Sequence, residues 1–344
     1  METSGASGHL RIPAQQTVRR TGNELMKAVR IHDYGGPEVL CYEDAPIPKP
    51  LQDEVLVRVH AAGVNPADRQ IRAGLRHRLE KPFSLTLGGD VSGVIEGPGP
   101  GVLDLVPGDE VYGRLPSMGA YAEYVTGPAS SFSNKPKSLN HVYASAIPIG
   151  ALTAWNALFE VGGLSCGQKV LIHAAAGGVG HMAVQLAKWR KAHVIGTASL
   201  RNEAFLRQLG VDEFIDYRTG DLATAVHDVD LVLDAIPREV DRETDVLAEE
   251  TIRRSWALLK DGGVLVSIAT RPIPDASAAS RGLRGLQANA HSGRELLDQI
   301  AELVDEGHVR PVVSKVLPLQ EARHAHELIQ TGHTQGKIVL RVQN

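Results

Sequence analysis

One stretch near the middle of the 344-residue chain constrains the fold most, because it joins a strand pattern to a helix pattern through glycines. The apolar run KVLIHAA (169–175) has the length and flanking turn residues of a buried parallel strand. The run VGHMAVQLAKWRK (179–191) repeats apolar residues at helical spacing. Three glycines lie between the two patterns or open the second. The chain therefore contains a strand–turn–helix unit in which something approaches the backbone closely.

The start of a helix presents unpaired N–H groups and a partial positive charge, so this turn offers a site for a pyrophosphate. Gly177 lets the backbone approach the phosphates, and Gly180 lets helix and strand pack closely. Ala175 replaces the first glycine of the usual G-x-G-x-x-G pattern. The strand before the turn and the helix after it nevertheless predict a dinucleotide-binding site.

The residues that end the next strand bear on which dinucleotide binds. An NAD site normally has an acidic residue there, about 20 residues after the turn, which binds the ribose 2′-hydroxyl. Here the strand HVIGTAS (193–199) has Ala198 at that position, and Ser199 and Arg201 follow. A hydroxyl and a guanidinium favour a 2′-phosphate and hence NADPH; the alternative for Arg201 is a solvated surface charge. Tyr217, at the end of the third strand, is predicted either to flank that phosphate or to cap the sheet.

Two kinds of pattern divide the chain. Residues 26–148 contain many short strands at close spacing, such as EVLVRVHAAGV (54–64), which is typical of a β-rich domain. From residue 149 to 272 strands and helices alternate, which predicts a doubly wound parallel sheet. Residues 273–344 are assigned to the first domain, because the last strand, GKIVLRV (336–342), is expected to rejoin it.

Composition narrows the classes of function. The formal net charge of −4 gives no basic footprint for nucleic acid or an anionic membrane. Two cysteines, Cys41 and Cys166, are too few for a disulfide framework, and they fit a reducing cytoplasm. No apolar run in the sequence approaches the roughly 20 residues needed to cross a bilayer, so no membrane partner is expected. Residues 1–25 lack the apolar segment of a secretory signal; we expect a disordered extension, with a transit peptide as the alternative.

These patterns together resemble a known family. The chain carries VLIHAAAGGVGHMAVQLAK (170–188) and VIGTASLRNEAFLRQLGVDEFIDYR (194–218) after the β-rich region. Ahead of them come GVNPADRQIRAG (63–74), LGGDVSGVIEGPGPGV (87–102) and GALTAW (150–155). In combination these motifs resemble the medium-chain dehydrogenase/reductase superfamily, and within it the zinc-free quinone oxidoreductase group similar to zeta-crystallin. The enoyl reductase domains of polyketide synthases share the HAAAGGVG turn.

The resemblance, which covers roughly residues 26–343, implies an α/β fold with a GroES-like, β-rich catalytic domain and a Rossmann domain. The active site would lie between them, NADPH would be the cofactor, and the protein would be a homodimer. Thr153 would lie near the nicotinamide, and Asn65 would face nicotinamide and substrate as the candidate catalytic residue. By position, the cofactor's phosphates and adenosine end would be held by Ala176, Gly177, Gly178, Val179, Gly180, Ser199, Arg201 and Tyr217.

A zinc site is not expected. Zinc-dependent alcohol dehydrogenases use, among other ligands, the His of a Gly-His-Glu triplet, and the matching triplet at residues 88–90 is Gly-Gly-Asp. Two cysteines cannot build a four-Cys structural site. The chain has 14 histidines, but His77, His173 and His181 are expected at the surface or in packing.

Three segments depart from the family pattern. Arg76 stands where many quinone reductases of this group have a tyrosine, and it either contacts an anionic or polar substrate or is a surface charge. Residues 234–255 are longer and more acidic than the usual turn near the nicotinamide. Residues 282–296 lack an aromatic pair that often lines the substrate cleft, and Asn289 in this segment is a candidate substrate contact.

Without zinc to polarise an oxygen, hydride addition to a conjugated acceptor is favoured over alcohol oxidation. The sequence therefore predicts NADPH-dependent reduction of a quinone or of an activated C=C bond in an α,β-unsaturated carbonyl compound. Asn65 or a backbone N–H would stabilise the enolate oxygen, and solvent would supply the proton. Two alternatives remain open: a trans-acting enoyl-thioester reductase of a polyketide or fatty-acyl pathway, and an NADPH-binding sensor or structural protein with little catalysis.

Overall fold

The structure is a computed structural model. It describes residues 24–75, 83–220, 222–238, 242–268, 281–290 and 293–343, without the side chains of residues 242–244. Within these residues the fold is α/β, with a β-rich part and a parallel sheet covered by helices. This arrangement confirms the predicted fold class.

The β-rich part begins the described chain. Its strands are β1 (Leu25–Ile31), β2 (Cys41–Pro46), β3 (Glu54–Val64), β4 (Leu85–Thr86), β5 (Asp90–Pro98), β6 (Glu110–Arg114), β7 (Tyr124–Pro128) and β8 (Phe132–Asn134). One small sheet has the order β2-β1-β4, and a larger sheet contains β3, β5, β6 and β8, with β7 paired to β3. Val55, Val57 and Val59 of β3 are fully buried in one hydrophobic cluster, because alternate residues of a strand point to the same face.

The parallel sheet follows. Its strands are β9 (Lys169–His173), β10 (His193–Ala198), β11 (Glu213–Asp216), β12 (Val229–Asp234), β13 (Leu259–Ser267) and β14 (Arg284–Gln287). They lie in the order β11-β10-β9-β12-β13-β14, and every neighbouring pair is parallel. Along the sequence, β10 and β11 are added to one side of β9. The chain then crosses to the other side of β9, where β12, β13 and β14 follow in order. This reversal leaves a crevice at the carboxyl ends of β9 and β12, where open α/β sheets bind ligands.

Helices cover both faces of this sheet. The helices of the chain are α1 (Pro66–Arg72), α2 (His141–Ala144), α3 (Pro148–Trp155), α4 (Gly180–Trp189), α5 (Glu203–Gln208), α6 (Leu222–Ala225), α7 (Arg242–Leu258), α8 (Arg294–Asp305) and α9 (Ala322–Gln330). Val170 and Ile172 of β9 belong to one hydrophobic cluster, whereas Leu171 lies in another cluster that contains Trp256 of α7. Burial on both faces explains why β9 is apolar without interruption.

The C-terminal strands β15 (Val313–Pro318) and β16 (Lys337–Arg341) return to the β-rich part. β16 pairs antiparallel with β3, which confirms that the last strand rejoins the first half of the chain. β14, however, pairs with β13 through residues 284–287. The parallel sheet therefore continues past residue 272, the boundary expected from the sequence.

One helical run corrects an expectation. Residues 141–161, through α2, α3 and the π-helical turn Asn156–Val161, have the length and hydropathy of a membrane span, with a mean hydropathy of 1.3 over the most apolar window. In this fold 72% of that window is buried, because α3 packs on α4 and α8. Its apolar character is thus accounted for by its place in the core.

Candidate active site

The glycine turn links the end of β9 to the start of α4, as the sequence predicted. Ala174 adopts a positive φ of 49°, and the N–H of Gly177 donates to the carbonyl oxygen of Ala174 at 2.9 Å. A Cβ at Gly180 would lie 2.3 Å from that oxygen and 2.7 Å from Cα of Ala175, so only glycine allows helix and strand to pack this closely. A Cβ at Gly177 would meet one neighbour among the described residues, the carbonyl oxygen of Ala174 at 3.3 Å. The backbone at Gly177 is therefore less crowded than at Gly180.

The last strand approaches the turn from the β-rich part. The N–H of Gly336 donates to the carbonyl oxygen of Ala176 at 2.8 Å. A Cβ at Gly178 would lie 3.2 Å from Cδ of Lys337 and 3.5 Å from the carbonyl oxygen of Gly336. The turn that was predicted to hold the phosphates is therefore at the junction of the two sheets.

Lys337 is the centre of a buried polar cluster that the sequence analysis missed. Its Nζ lies 2.9 Å from Oδ2 of Asp90 and also donates to Oδ1 of Asn65. The Lys337 side chain is 4% exposed, and that of Asp90 is completely buried. The other carboxylate oxygen, Oδ1 of Asp90, accepts the N–H of Ile149 at 2.7 Å at the start of α3. The cluster therefore joins β5, β16 and the start of α1 to a helix of the parallel-sheet half.

The amide of Asn65 is held in one orientation by this cluster. Its Nδ2 donates to Oδ2 of Asp90 at 3.0 Å and to the carbonyl oxygen of Gly63 at 3.4 Å, while Oδ1 faces Lys337. Both Nδ2 hydrogens therefore have acceptors in the protein. To donate to a substrate oxygen, as predicted, Asn65 has to exchange one of them, and the long contact to Gly63 is the weaker of the two.

A second buried chain of polar groups runs from Asp68, next to Asn65, into the β-rich core. Oδ2 of Asp68 accepts the N–H of Asn65 at 2.8 Å and the hydroxyl of Tyr121 at 2.9 Å. Oδ1 has no hydrogen-bond partner in the described part of the chain. Burial raises the pKa of Asp68 to about 7 in spite of the two donors. This carboxyl group is therefore partly protonated near neutral pH.

The end of this series of polar groups that lies farthest from Asp68 carries a cation. The Tyr121 hydroxyl lies 3.4 Å from Nε2 of His326, and Nη1 of Arg72 lies 3.2 Å from Nδ1 of the same ring. Burial and the nearby Arg72 lower the pKa of His326 to about 3, so the ring is neutral. The series of hydrogen-bonded groups thus ends at Arg72, whose Nη2 also donates to Gln330 of α9 at 2.6 Å.

The end of β10 carries residues predicted to select the cofactor. Ala198 is the last residue of the strand, as expected, and the Ser199 hydroxyl accepts a hydrogen bond from Nδ2 of Asn202 at 3.1 Å. Arg201 is exposed, and its Nη2 donates to the carbonyl oxygen of His333 at 3.2 Å, in the loop before β16. The guanidinium therefore lies against the segment that leads to Lys337 rather than free in solvent.

Tyr217 lies beside this strand end. Its N–H donates to the carbonyl oxygen of Ala198 at 3.3 Å, and its side chain is 43% exposed. Nε of Arg218 donates to the Tyr217 hydroxyl at 3.3 Å. The structure therefore brings Ser199 and Tyr217 to neighbouring strand ends and adds Arg218, a second guanidinium, which the sequence analysis passed over. Its only signal was its position directly after Tyr217.

The residues predicted near the nicotinamide are placed differently from one another. Thr153 is buried on α3, one turn after Ile149, whose N–H binds Asp90. Asn289 is exposed just after β14, and its N–H donates to Oδ1 of Asn156 at 3.3 Å. Asn289 is thus two strands away from the crevice between β9 and β12. Arg76 lies outside the described residues.

The floor of the crevice is polar and buried. His173, at the end of β9, lies 3.0 Å from the Thr197 hydroxyl through Nδ1 and 2.9 Å from the Ser255 hydroxyl through Nε2. Burial and the nearby Arg238 lower the pKa of His173 to about 4, so it is a neutral packing residue. Asp234, beside it at the end of β12, accepts the Ser267 hydroxyl at 2.7 Å, and burial raises its pKa.

The other candidate metal ligands are also accounted for. His181 donates from Nδ1 to the carbonyl oxygen of Gly177 at 2.8 Å and accepts the N–H of Val312 at Nε2, and burial lowers its pKa to about 4. Cys41 and Cys166 are both exposed. Across the residues that the structure describes, no three His, Cys, Asp or Glu side chains come together as metal ligands would. His77 lies outside these residues.

Two family profiles match the chain. The profile of the alcohol dehydrogenase GroES-like domain covers residues 51–137, and one described as zinc-binding dehydrogenase covers residues 209–340. The chain is 33% identical to the NAD(P)H oxidoreductase RTN4IP1, mitochondrial, of Homo sapiens, over 92% of this chain and 89% of that protein. It is also 33% identical to the quinone oxidoreductase of Mus musculus, over 93% of this chain and 99% of that protein.

A solved structure gives the same result. The quinone oxidoreductase from Coxiella burnetii superposes with a TM-score of 0.84 and 35% sequence identity, over 93% of this chain and all of that one. The GroES-like part, the parallel sheet and the glycine turn at its switch point agree with this likeness. The chain belongs to the medium-chain dehydrogenase/reductase superfamily, in its zeta-crystallin-like quinone oxidoreductase group.

Proposed function

We propose that this protein is an NADPH-dependent reductase that transfers hydride, without zinc, to a quinone or to the activated C=C bond of an α,β-unsaturated carbonyl compound. Its family supports an oxidoreductase that uses a nicotinamide cofactor. One observation carries the choice of NADPH. At the end of β10, Ala198 takes the place of the acid, and Ser199 and Arg201 follow it.

The residues at the carboxyl edge of the sheet fit a dinucleotide phosphate. The missing side chain at Gly177 and the start of the ten-residue helix α4 suit a pyrophosphate, because the helix dipole and free N–H groups favour an anion. At the adenosine end, Ser199 offers a hydroxyl, and Arg201 and Arg218 offer guanidinium groups. A 2′-phosphate binds such groups well, whereas the 2′-hydroxyl of NADH gains little from them.

Bound NADPH supplies a hydride, and the protein binds, orients and shields the reacting groups. The developing negative charge falls on the oxygen of a conjugated acceptor. N–H donors in a site that excludes water stabilise such a charge strongly. Nζ of Lys337 carries three hydrogens, of which two point to Asn65 and Asp90, and the surrounding cluster is almost completely buried. We assign the donor role to Asn65 with Lys337 as its partner, and the proton is supplied by solvent.

The residues at the positions of the zinc ligands support a reaction without zinc. Gly89 stands where the zinc-dependent relatives have a histidine ligand, and it has no side chain to offer. The neighbouring carboxylate of Asp90 already accepts hydrogen bonds from Lys337, Asn65 and Ile149. A carboxylate committed to three donors is a poor ligand for a metal.

The proposal is tested by following NADPH oxidation with a quinone, a simple enone and an enoyl thioester, and by repeating each assay with NADH. We expect turnover with the quinone or the enone, and a KM for NADPH well below that for NADH. Thioester turnover alone would move the function to an acyl reductase. NADPH binding without turnover of any acceptor would indicate a sensor or structural role instead.

Zinc independence needs its own measurement. The purified protein should contain clearly less than one zinc per chain, and its turnover should survive dialysis against a chelator. A stoichiometric zinc ion whose removal abolishes turnover would contradict the proposal.

We also propose a homodimer that forms through β14. This strand is at one end of the parallel sheet, and among the described residues it pairs with β13, so a second copy can extend the sheet at its other edge. Two-fold pairing of identical edge strands would join the two sheets into one. Light scattering should give about twice the chain mass of 36.9 kDa, and a monomer mass would contradict this assembly.

A further inference from the structure

A buried arginine in the crevice has an unused hydrogen-bond donor. Arg238 follows the end of β12, and its Nη2 donates to Oδ2 of Asp234 at 2.9 Å. The side chain is only 8% exposed. Its other terminal nitrogen, Nη1, is buried and finds no acceptor within the described part of the chain. A buried donor without a partner is unfavourable, so this nitrogen indicates a site for a ligand.

The position of Arg238 is that of a ligand-binding residue. Asp234, which holds it, pairs in register with His173 at the end of β9, directly before the glycine turn. Arg238 therefore lies just outside the carboxyl ends of the two strands that flank the switch point. Asp234 itself is fixed by the Ser267 hydroxyl at 2.7 Å and the N–H of Ile236 at 3.1 Å, so the guanidinium is anchored rather than loose.

The β-rich part contributes a second arginine to the same place. Arg69 of α1 is 7% exposed, and its Nη2 donates to the carbonyl oxygen of Arg238 at 3.1 Å across the cleft. Two buried guanidinium groups, those of Arg238 and Arg69, thus meet at this corner, and Asp234 is the carboxylate hydrogen-bonded to Arg238.

We propose that Arg238, with Arg69 opposite, binds a carboxylate group carried by the substrate, so that this reductase prefers an electron-poor acceptor bearing an acid. The inference rests on the proposed reduction of enones or quinones and adds the substrate class. A carboxylate suits the site because it accepts a charge-assisted hydrogen bond from the unpartnered Nη1 of Arg238. A neutral ester oxygen accepts only a weaker hydrogen bond from the same nitrogen.

The competing acceptor for Nη1 is the carboxamide oxygen of the nicotinamide. It would satisfy the donor with a neutral acceptor in place of an anion. The two occupants are separated by a matched pair of substrates, a 4-oxo-2-enoic acid and its methyl ester, which share one reactive C=C bond and differ in the anion.

The experiment measures kcat/KM for acid and ester at saturating NADPH, in the wild-type protein and in Arg238→Gln. The wild-type protein should favour the acid. Loss of one charge-assisted hydrogen bond should lower the acid-to-ester ratio by about 10- to 100-fold in Arg238→Gln. Arg254→Gln is the matched control, because this arginine is 65% exposed on α7 and pairs with Glu250 on the same helix. Its ratio should equal that of the wild-type protein.

A second measurement keeps the inference open to refutation if Arg238→Gln fails to fold. The saturated acid, a 4-oxoalkanoate, should inhibit wild-type turnover competitively against the acid substrate, and its methyl ester should inhibit far less. Equal inhibition by both would overturn the inference.

The remaining outcomes are also decisive. If Arg238→Gln raises the KM for NADPH and leaves the acid-to-ester ratio unchanged, the donor belongs to the cofactor and the inference is wrong. Turnover of both substrates at equal kcat/KM in the wild-type protein would overturn the inference while the proposed reductase stands. Absence of turnover with acid, ester and quinone would instead refute the proposed function itself.

Discussion

The two ends of the proposed cofactor site are built in opposite ways. At the phosphate turn, Lys337, Asp90 and Asn65 are buried, and each oxygen and nitrogen among them has a defined partner. At the adenosine end, Arg201 and Tyr217 are exposed, and their hydrogen bonds reach a loop carbonyl and a neighbouring arginine. The first end can act only with the fold intact around it, whereas the second can change without disturbing the core.

This contrast separates two kinds of consequence. Changing a group in the buried cluster leaves a charge or a polar atom without compensation, so stability and function are lost together. Changing a group at the exposed end alters affinity for one cofactor and little else, since water replaces the lost partner. The comparison is therefore tested best by substitutions whose effects on stability and on cofactor choice are measured side by side.

The largest effect is expected for Lys337→Met. Removal of the ammonium leaves the fully buried carboxylate of Asp90 without its cation, which should lower the free energy of unfolding by about 3–5 kcal/mol. Urea denaturation measures this change. Lys191→Met, at an exposed position, is the control and should alter stability little.

The double variant Asp90→Asn with Lys337→Met sharpens this test. It removes both charges at once, so its loss of stability should be smaller than the sum of the two single losses. Additive losses would show that the two groups do not act as a pair and would weaken the contrast between the ends.

The next largest effect is expected for Gly180→Ala. Its Cβ would fall 2.3 Å from a backbone oxygen, so the start of α4 has to move, at a cost of about 1–3 kcal/mol or more. Gly177→Ala is the matched variant, because its Cβ would meet no atom closer than 3.3 Å. We expect Gly177→Ala to weaken NADPH binding with little loss of stability. Equal thermal stability of the two variants would contradict this distinction.

The sequence was informative where function is carried by neighbours along the chain. The glycine turn, the absence of an acid at Ala198 and the serine after it lie within single strand–turn units, so spacing alone located them. The alternation in residues 54–64 also gave the bounds of β3. These features depend on backbone periodicity, which a sequence displays directly.

The contacts across the molecule were not accessible in this way. Lys337 and Asp90 are 247 positions apart, and their pairing depends on β16 returning to β3, beside β5. A lysine that opens an apolar strand reads as a surface residue, because lysine is seldom buried without a partner. Arg238 was likewise part of a segment recognised only as unusual in length and charge. Asp234 lies only four residues before it, but the Ser267 hydroxyl that holds Asp234 in place comes from β13, which only the fold puts beside β12.

A smaller effect, confined to cofactor choice, is expected for Arg201→Ala. Loss of the guanidinium should raise the KM for NADPH by about 10-fold and leave that for NADH nearly unchanged, because only NADPH carries the 2′-phosphate. Arg207→Ala, on α5 and paired with Glu203, is the control. Equal changes in the KM for NADPH and the KM for NADH would show that Arg201 does not contact the 2′-phosphate. Loss of stability in Arg201→Ala would break the proposed contrast between the two ends.

A pH dependence of stability is expected at the buried end. Burial raises the pKa of Asp68 from its ordinary value of 3.8 to about 7, so between these values the folded protein holds a proton that the unfolded chain has released. Stability from this group is therefore complete below about pH 4 and is lost as the pH rises toward 7, by at most about 1.4 kcal/mol per pH unit.

Asp68→Asn retains an oxygen for the N–H of Asn65 and the hydroxyl of Tyr121 and cannot titrate. Its stability relative to the wild-type protein should thus increase from pH 4 to 7 in urea denaturation, whereas Asp261→Asn, at an exposed position, should show no such trend. A pH-independent difference between Asp68→Asn and the wild-type protein would mean that the carboxyl group is ionised throughout, with its charge balanced within the buried cluster.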